Sequence, residues 1–484
     1  MISKMKYNSL RNAFLTMLFS VSLSQAGAQT LQQGRELINK KDYASAVTAF
    51  SKLIKQYGSR ADVNKWYGEA LYETGQYDKA EKYIEIAAKR KVTGAYPYMA
   101  KICMRKYMFA DAASWWEKYK LSLKKAPAEE ASAEHLIQQA RYCEDELGRV
   151  EQVAIIDSLI VDKDNFFKYY KLSQESGKLI DYKMLQDAQE NTQEGVFESQ
   201  RGDRRVFAQK GENGYDLYET SRLVGAKWSE PTPFPQNINT AANERFPFVM
   251  NDGFTLYFSS DQQPSLGGYD LYVTKYNVSS GTYFTPEKLP MPFNSPYNDY
   301  LMAIDEGHQV GWFATDRFQP EDKVIIYVFI PNTGERNYYR DRPEQEVRDL
   351  AMITSIRATW PQDANYDKLL YSIYNEEEQD QQKKGDFVFI INDNIIYRQM
   401  SDFEDAQARK KFEQASALRS QYEQNKTDLE QLRKKWSFGK QSERAKIKSR
   451  ILQLENITEE QSVNLQDLEN DARNTEIMFL RKKH

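Results

Sequence analysis

Small and large apolar residues recur along the first third of the chain at a fixed step. Gly34, Leu37, Tyr43, Ala46, Phe50 and Leu53 return 34 residues later as Gly68, Leu71, Tyr77, Ala80, Ile84 and Ala87. A slightly shorter third copy reads Ala100, Cys103, Phe109, Ala112, Trp116 and Tyr119. These are the small and large positions of a helix-turn-helix unit. The small residue of the first helix lets the second approach, and the aromatic near the turn, with the Ala after it, locks the pair. The pattern predicts stacked helix pairs over residues 29–160, with Pro127 to Val150 adding a further hairpin or a cap. Residues 161–194, with Phe166, Phe167, Tyr169, Tyr170 and then Gly177, are expected to be a connecting segment.

From 195 to 400 the period shortens. Alternating strands are separated by Gly, Asn, Asp and Pro turns. Asp252-Gly253 precedes the run from Phe254 to Asp261, and Gly267-Gly268 precedes Tyr269-Asp270-Leu271-Tyr272. Tyr215-Asp216-Leu217-Tyr218 lies 54 residues before that last stretch, while Asn243-Glu244 lies 55 before Asn298-Asp299. Phe258-Ser259-Ser260-Asp261 lies 55 before Phe313-Ala314-Thr315-Asp316. Repeated strand-rich units of this length predict a β-propeller-like domain. Over 401–484 the pattern is helical again. Ala415, Leu418, Tyr422, Leu429, Leu432 and Trp436 form one seam, with Asn425 interrupting it; Ile447, Ile451, Leu454, Leu465, Leu468, Ala472 and Phe479 form a second. Gly439 lies between them. The seams predict an antiparallel helical hairpin; the alternative is an intermolecular coiled coil, giving a homodimer through the C-terminal helices. The fold class is therefore multidomain, α then β then α.

Composition narrows the function. Net charge is −4 and 28% of residues are charged, which argues against nucleic acid as a partner. Lys4, Lys6 and Arg11 precede an apolar run from Ala13 to Leu23, and Ala26-Gly27-Ala28 fits a small-x-small cleavage site. Residues 1–28 are thus expected to be a signal peptide cut before Gln29, sending the chain out of the cytoplasm. Cys103 and Cys143 are expected to be small buried hydrophobes, with a disulfide the alternative. The three His, at 135, 308 and 484, make no zinc pattern, and His135 and His308 are expected at a helix surface and in a turn. No nucleophile elbow, P-loop or dinucleotide fingerprint occurs. The acidic run Glu376-Glu377-Glu378 reads as a solvated loop, and Arg201-Gly202-Asp203, a cell-adhesion tripeptide, is too short to carry weight. Asp216 and Asp270 are expected to cap turns. No catalytic residue, metal or cofactor is expected, so the chain reads as a non-enzyme.

The stretch Trp66-Tyr67-Gly68 through Tyr77-Asp78-Lys79-Ala80 resembles the tetratricopeptide repeat family. The strand repeat is similar to the blade of TolB-like, WD40-like propellers, in which a strand ends in Phe-x-Ser-x-Arg. Here Gln262 stands at the basic position of one copy, and Arg317 keeps it in the next. Three blades are recognisable. A closed ring needs at least four, and degenerate strands near 355–400, including Asp386 to Ile391, are expected to complete it. Together with the leader, the combination looks like envelope proteins common in Bacteroidetes, which often end in an OmpA-type peptidoglycan-binding domain; here a helical hairpin takes that place. The resemblance implies a periplasmic or outer-membrane-associated, secretion-related adaptor with other envelope proteins as partners. The alternative is a glycan- or peptide-binding sensor using the propeller channel. Stacked helix pairs present a concave face, and repeat position assigns Arg35, Glu69, Tyr72, Lys101 and Arg105 to it.

Overall fold

A computed structural model describes residues 31–124, 126–184, 192–211, 214–223, 227–332, 334, 336–374, 387–392, 395–438 and 441–483. The expected signal peptide, the acidic run at 376–378, Gly439 and His484 lie outside these. Helix α1 covers 31–39, followed by α2 (Tyr43–Tyr57), α3 (Ala61–Glu73), α4 (Tyr77–Lys89), α5 (Tyr96–Arg105), α6 (Phe109–Ser122) and α7 (Pro127–Leu147). The repeating small residues explain the pairing. A Cβ on Gly34 would lie 2.7 Å from the Phe50 ring, and one on Gly68 would lie 2.6 Å from Ile84 Cδ1. Ala46, Ala80 and Ala112 have no exposed surface. α7 starts on Pro127, whose missing N–H costs nothing at a first helical turn. It packs as one long helix on α6. Cys103 and Cys143 are free and buried.

Three antiparallel sheets follow. The first runs β2 (Lys178–Asp181), β3 (Thr192–Glu198), β4 (Arg204–Lys210), β5 (Tyr215–Ser221), β6 (Thr232–Pro233). The second runs β7 (Glu244–Val249), β8 (Thr255–Ser260), β9 (Asp270–Asn277), with β10 (Thr282–Tyr283) and β11 (Glu287–Lys288) both on β9. The third runs β12 (Asp299–Asp305), β13 (Val310–Thr315), β14 (Lys323–Ile330), and its outer strand is β1 (Ala154–Asp162), supplied from before the first sheet. Strand β1 thus crosses the expected boundary between residues 160 and 161, and the aromatic segment after it, expected to be a connecting segment, belongs to the core. Phe166, Phe167 and Tyr170 pack among residues of all three sheets, and the Tyr170 hydroxyl donates to Leu301 O at 2.8 Å.

The 55-residue step is a repeat of hydrogen bonds, buried or half-buried between the sheets. Asn243 donates from its backbone and side chain to Asp261 at 2.8 and 2.7 Å; Asn298 does the same to Asp316 at 2.9 and 2.8 Å. Asn239 accepts from Leu217 N at 2.8 Å and donates to Leu217 O and Phe234 O; Asn294 repeats this with Leu271 and Leu289. Side chains thereby satisfy backbone groups where each sheet meets the next, as buried polar groups require. Arg317, in the copy that keeps the basic residue, is wholly buried and pairs with Asp299 at 3.0 Å. In the other copy Glu244 accepts from the Thr240 and Ser260 hydroxyls instead.

The expected fourth blade is not found among the described residues. Helices α8 (Glu344–Met352) and α9 (Asp367–Tyr374) occupy part of that region. Ile373 of α9 joins the core beside the sheets, and the Tyr374 hydroxyl donates to Asp157 at 2.7 Å. Among the described residues, strands β15 (Phe389–Asn392) and β16 (Ile395–Tyr397) pair only with each other. Their apolar side chains pack with Phe403, Phe412 and Ala472, so they serve the C-terminal helices rather than the sheet stack. Those helices, α10 (Ala406–Phe438) and α11 (Gln441–Lys483), are antiparallel. Asn425 donates to Gln461 at 2.9 Å and Arg433 pairs with Glu455 at 2.7 Å, in one register. Buried Glu476 accepts from the Glu404 and Asp405 amides and from the Tyr397 hydroxyl, fixing the start of α10. No described helix is long and apolar enough to cross a membrane.

Candidate partner-binding face

The first helices of successive pairs, α1, α3 and α5, carry the five residues assigned to the concave face. They fall into one ladder of contacts. The Arg35 guanidinium lies 5.1 Å from the centre of the Trp66 ring, and Lys65 Nζ lies 3.4 Å from the same ring. Lys65 pairs with Glu69 at 2.5 Å. The Tyr98 hydroxyl donates to Glu69 and Glu73 at 3.0 and 3.1 Å. Lys101 Nζ lies 5.0 Å from the Tyr98 ring and 5.8 Å from that of Tyr72. Tyr72 meets Tyr98 edge-on at 5.4 Å and Tyr77 at 5.1 Å. Arg105 closes the ladder, 3.7 Å above the Tyr77 ring. Burial raises the Tyr98 phenol well above its usual range, and the neighbouring Glu69 and Glu73 carboxylates raise it further. It stays a hydrogen-bond donor across the whole neutral range.

Exposure sorts the ladder. Arg35, Glu73 and Lys101 are exposed; Trp66, Glu69, Tyr72, Tyr98 and Arg105 are half-buried. Half-buried aromatic rings with wet hydroxyls and stacked cations are suited to protein contact. Lys65, Trp66 and Tyr98 escaped assignment by repeat position alone. A signal for the last two was present, because each stands two residues before the small residue of its repeat, Gly68 and Ala100.

The Arg105 end is occupied from within the chain. Arg105 donates to the Tyr297 hydroxyl at 3.1 Å and its guanidinium lies 5.1 Å from the Phe318 ring. Below it, Tyr107, Phe109, Cys143 and Leu147 of the helical region share an apolar cluster with Leu266, Met291, Val347 and Leu350. Gln139 donates to Leu266 O at 2.9 Å. The Arg35 end lies at the far side of the stack, four helices from this junction.

Residues 37–101 match the profile of a family described as tetratricopeptide repeat. This segment is built of tetratricopeptide-like helical repeats. Similar solved structures include the yeast Sti1 complex titled TPR2B-domain:pHsp70, at 20% identity and TM-score 0.21, covering 25% of this chain and 96% of that one. The yeast Sti1 complex titled TPR2AB-domain:pHSP90 is matched at 19% identity and TM-score 0.21, over 25% of this chain and 46% of that one. No curated protein matches.

Beyond the tetratricopeptide repeats, the polar clusters are wired for support. Asp305 accepts from the Ser173 amide and hydroxyl, the Ser176 hydroxyl and His308 Nδ1. The serines donate to the carboxylate and not to the imidazole, unlike a nucleophile held by a general base. Burial works to raise the Asp305 carboxyl, yet His308 and Ser173 outweigh it and hold it below the usual range. Asp270 is buried, accepts from Leu266 N and pairs with Lys288 at 2.8 Å. No cluster of three or more potential metal ligands is found among the described residues.

Proposed function

We propose that the chain is a non-enzymatic adaptor of the cell envelope. Its tetratricopeptide face captures a segment of a partner protein, while the sheet region and the C-terminal hairpin set that face in an assembly. The observation that carries this reading is the ladder from Arg35 to Lys101: aromatic rings and charges of both signs, aligned on one face and, among the described residues, open at the Arg35 end. Mixed charge favours a partner segment that is itself polar and carries apolar anchors for Trp66 and Tyr72. The similarity of the strand repeat to TolB-like propellers and the apolar leader support an exported protein, periplasmic or held at the outer membrane, within a secretion-related complex. Partners are then other envelope proteins.

The test is affinity purification of the tagged chain from crosslinked cells, compared with Trp66→Ala and Lys101→Glu. Specific partners should be recovered with the wild type and lost by at least about tenfold with either variant, as truncating an interface anchor costs more than about 1.4 kcal/mol. Equal recovery with both variants, or a wild type found only as a free monomer, would remove the proposal.

A further inference from the structure

Between the first sheet and the C-terminal hairpin lies a cavity of about 460 Å³. Its walls carry Lys178 of β2, Arg201 from the β3–β4 turn, Arg205 of β4, Arg222 after β5, and Lys426 of α10. Five cations thus face one carboxylate, that of Glu198. Glu198 is already spent: it pairs with Arg205 Nε at 2.8 Å and with Lys178 at 3.4 Å. Among the described residues no carboxylate pairs with Arg201, Arg222 or Lys426. Asp203, the acid nearest in sequence, accepts from the Ser199 hydroxyl at 2.7 Å.

Arg222 decides what the cavity takes. One of its nitrogens, Nη2, donates to Ser462 at 3.3 Å, which anchors the guanidinium between sheet and hairpin. Its Nε is buried and has no acceptor among the described residues. A buried donor left unmatched is costly, and it is rare unless something outside the chain completes it. The floor beside it is built, since the Arg205 guanidinium stacks 3.9 Å over the Trp228 ring and cannot turn away to solvent freely. Arg473 has its guanidinium pushed down chiefly by burial, with Arg201 adding to this while Glu469 and Asp203 act against it.

The geometry points to a binding site for a phosphate group, held by Arg201, Arg222 and Lys426. A single carboxylate would leave most of the excess positive charge uncompensated. A phosphate or phosphomonoester carries up to two negative charges and offers several acceptor oxygens, matching a guanidinium fork and an ammonium together. The site joins two regions of the chain, so its occupant also clamps the hairpin to the sheet. This inference is independent of what the tetratricopeptide face binds.

The full chain would be titrated calorimetrically with inorganic phosphate, against sodium chloride at equal ionic strength. A second arm would use phosphatidylcholine vesicles with and without phosphatidic acid, to separate free phosphate from a lipid headgroup. Saturable binding in either arm is expected, weakened at least about tenfold by Arg222→Gln and by Lys426→Gln, because each removes a charge-assisted hydrogen bond to the phosphate. Lys82→Gln, on α4, should bind as the wild type does. Should Arg222→Gln fail to fold, Lys426→Gln, on an exposed helix face, still decides. Binding no stronger than to chloride in both arms, or variants that bind like the wild type, would overturn the assignment.

Discussion

Gly68 has no room for a side chain. Any Cβ there would press on Ile84 Cδ1 at 2.6 Å and on the backbone of α4 at 3.0 Å. Gly68→Val should therefore lower stability by about 1–3 kcal/mol, read as a lower urea midpoint followed by helical circular dichroism. Arg317 and Asp299 test another residue-scale cost. Both are wholly buried, and burial works to raise the Asp299 carboxyl against the pull of the guanidinium. Arg317→Ala should cost about 3–5 kcal/mol by leaving that carboxyl with the Ser295 amide and hydroxyl but no counter-charge, and adding Asp299→Ala should recover part of the loss. Asp305 gives a pH signature. Its carboxyl is held below the unfolded value of about 3.9. The folded chain thus binds this proton less readily than the unfolded one. The stabilisation is complete above the unfolded value and is lost as pH falls through the folded one. Asp305→Asn should cost about 1–3 kcal/mol at neutral pH and less in the acid limb, measured by urea denaturation at both.

At the scale of elements, the helices were legible because their burial is one-sided. Gly34, Gly68 and the Ala positions repeat in the sequence as they repeat in space. The strand repeat was legible for a less visible reason: Asn243-Glu244 and Asn298-Asp299 recur because the hydrogen-bond network between sheets recurs. Asn294→Ala removes three of those bonds at once and should cost about 3 kcal/mol by thermal unfolding. Strand β14 was hard to read because it lacks alternation. Val324, Ile326 and Val328 enter one apolar cluster while Ile325, Tyr327 and Phe329 enter another, so both faces are buried and the run is continuously apolar. The stretch near Asp386 to Ile391 does alternate, but its apolar face meets Phe403 and Phe412, a long-range choice that local pattern does not encode. Likewise β1, sitting just after the repeats, gives no local sign that its partner is β14, 161 residues away even at the nearest pair, Asp162 and Lys323.

The whole molecule holds its helical repeats against its sheets through one apolar junction. Val347→Asp, in α8 beneath that junction, should put an uncompensated charge among Tyr107, Leu147 and Leu350. Small-angle scattering is then expected to show a larger radius of gyration with helical and strand content unchanged. In this arrangement Arg105 steadies the junction, while Arg35, Trp66, Tyr72 and Lys101 remain on the open stretch of the face. The claim on which the account turns is that this open stretch contacts a protein. A photocrosslinking residue placed at position 101 in the living cell, with a control at position 82 on α4, tests it most directly. A discrete protein adduct at 101, absent at 82, is the predicted result. Adducts of equal yield at both positions, or none at 101, would contradict it.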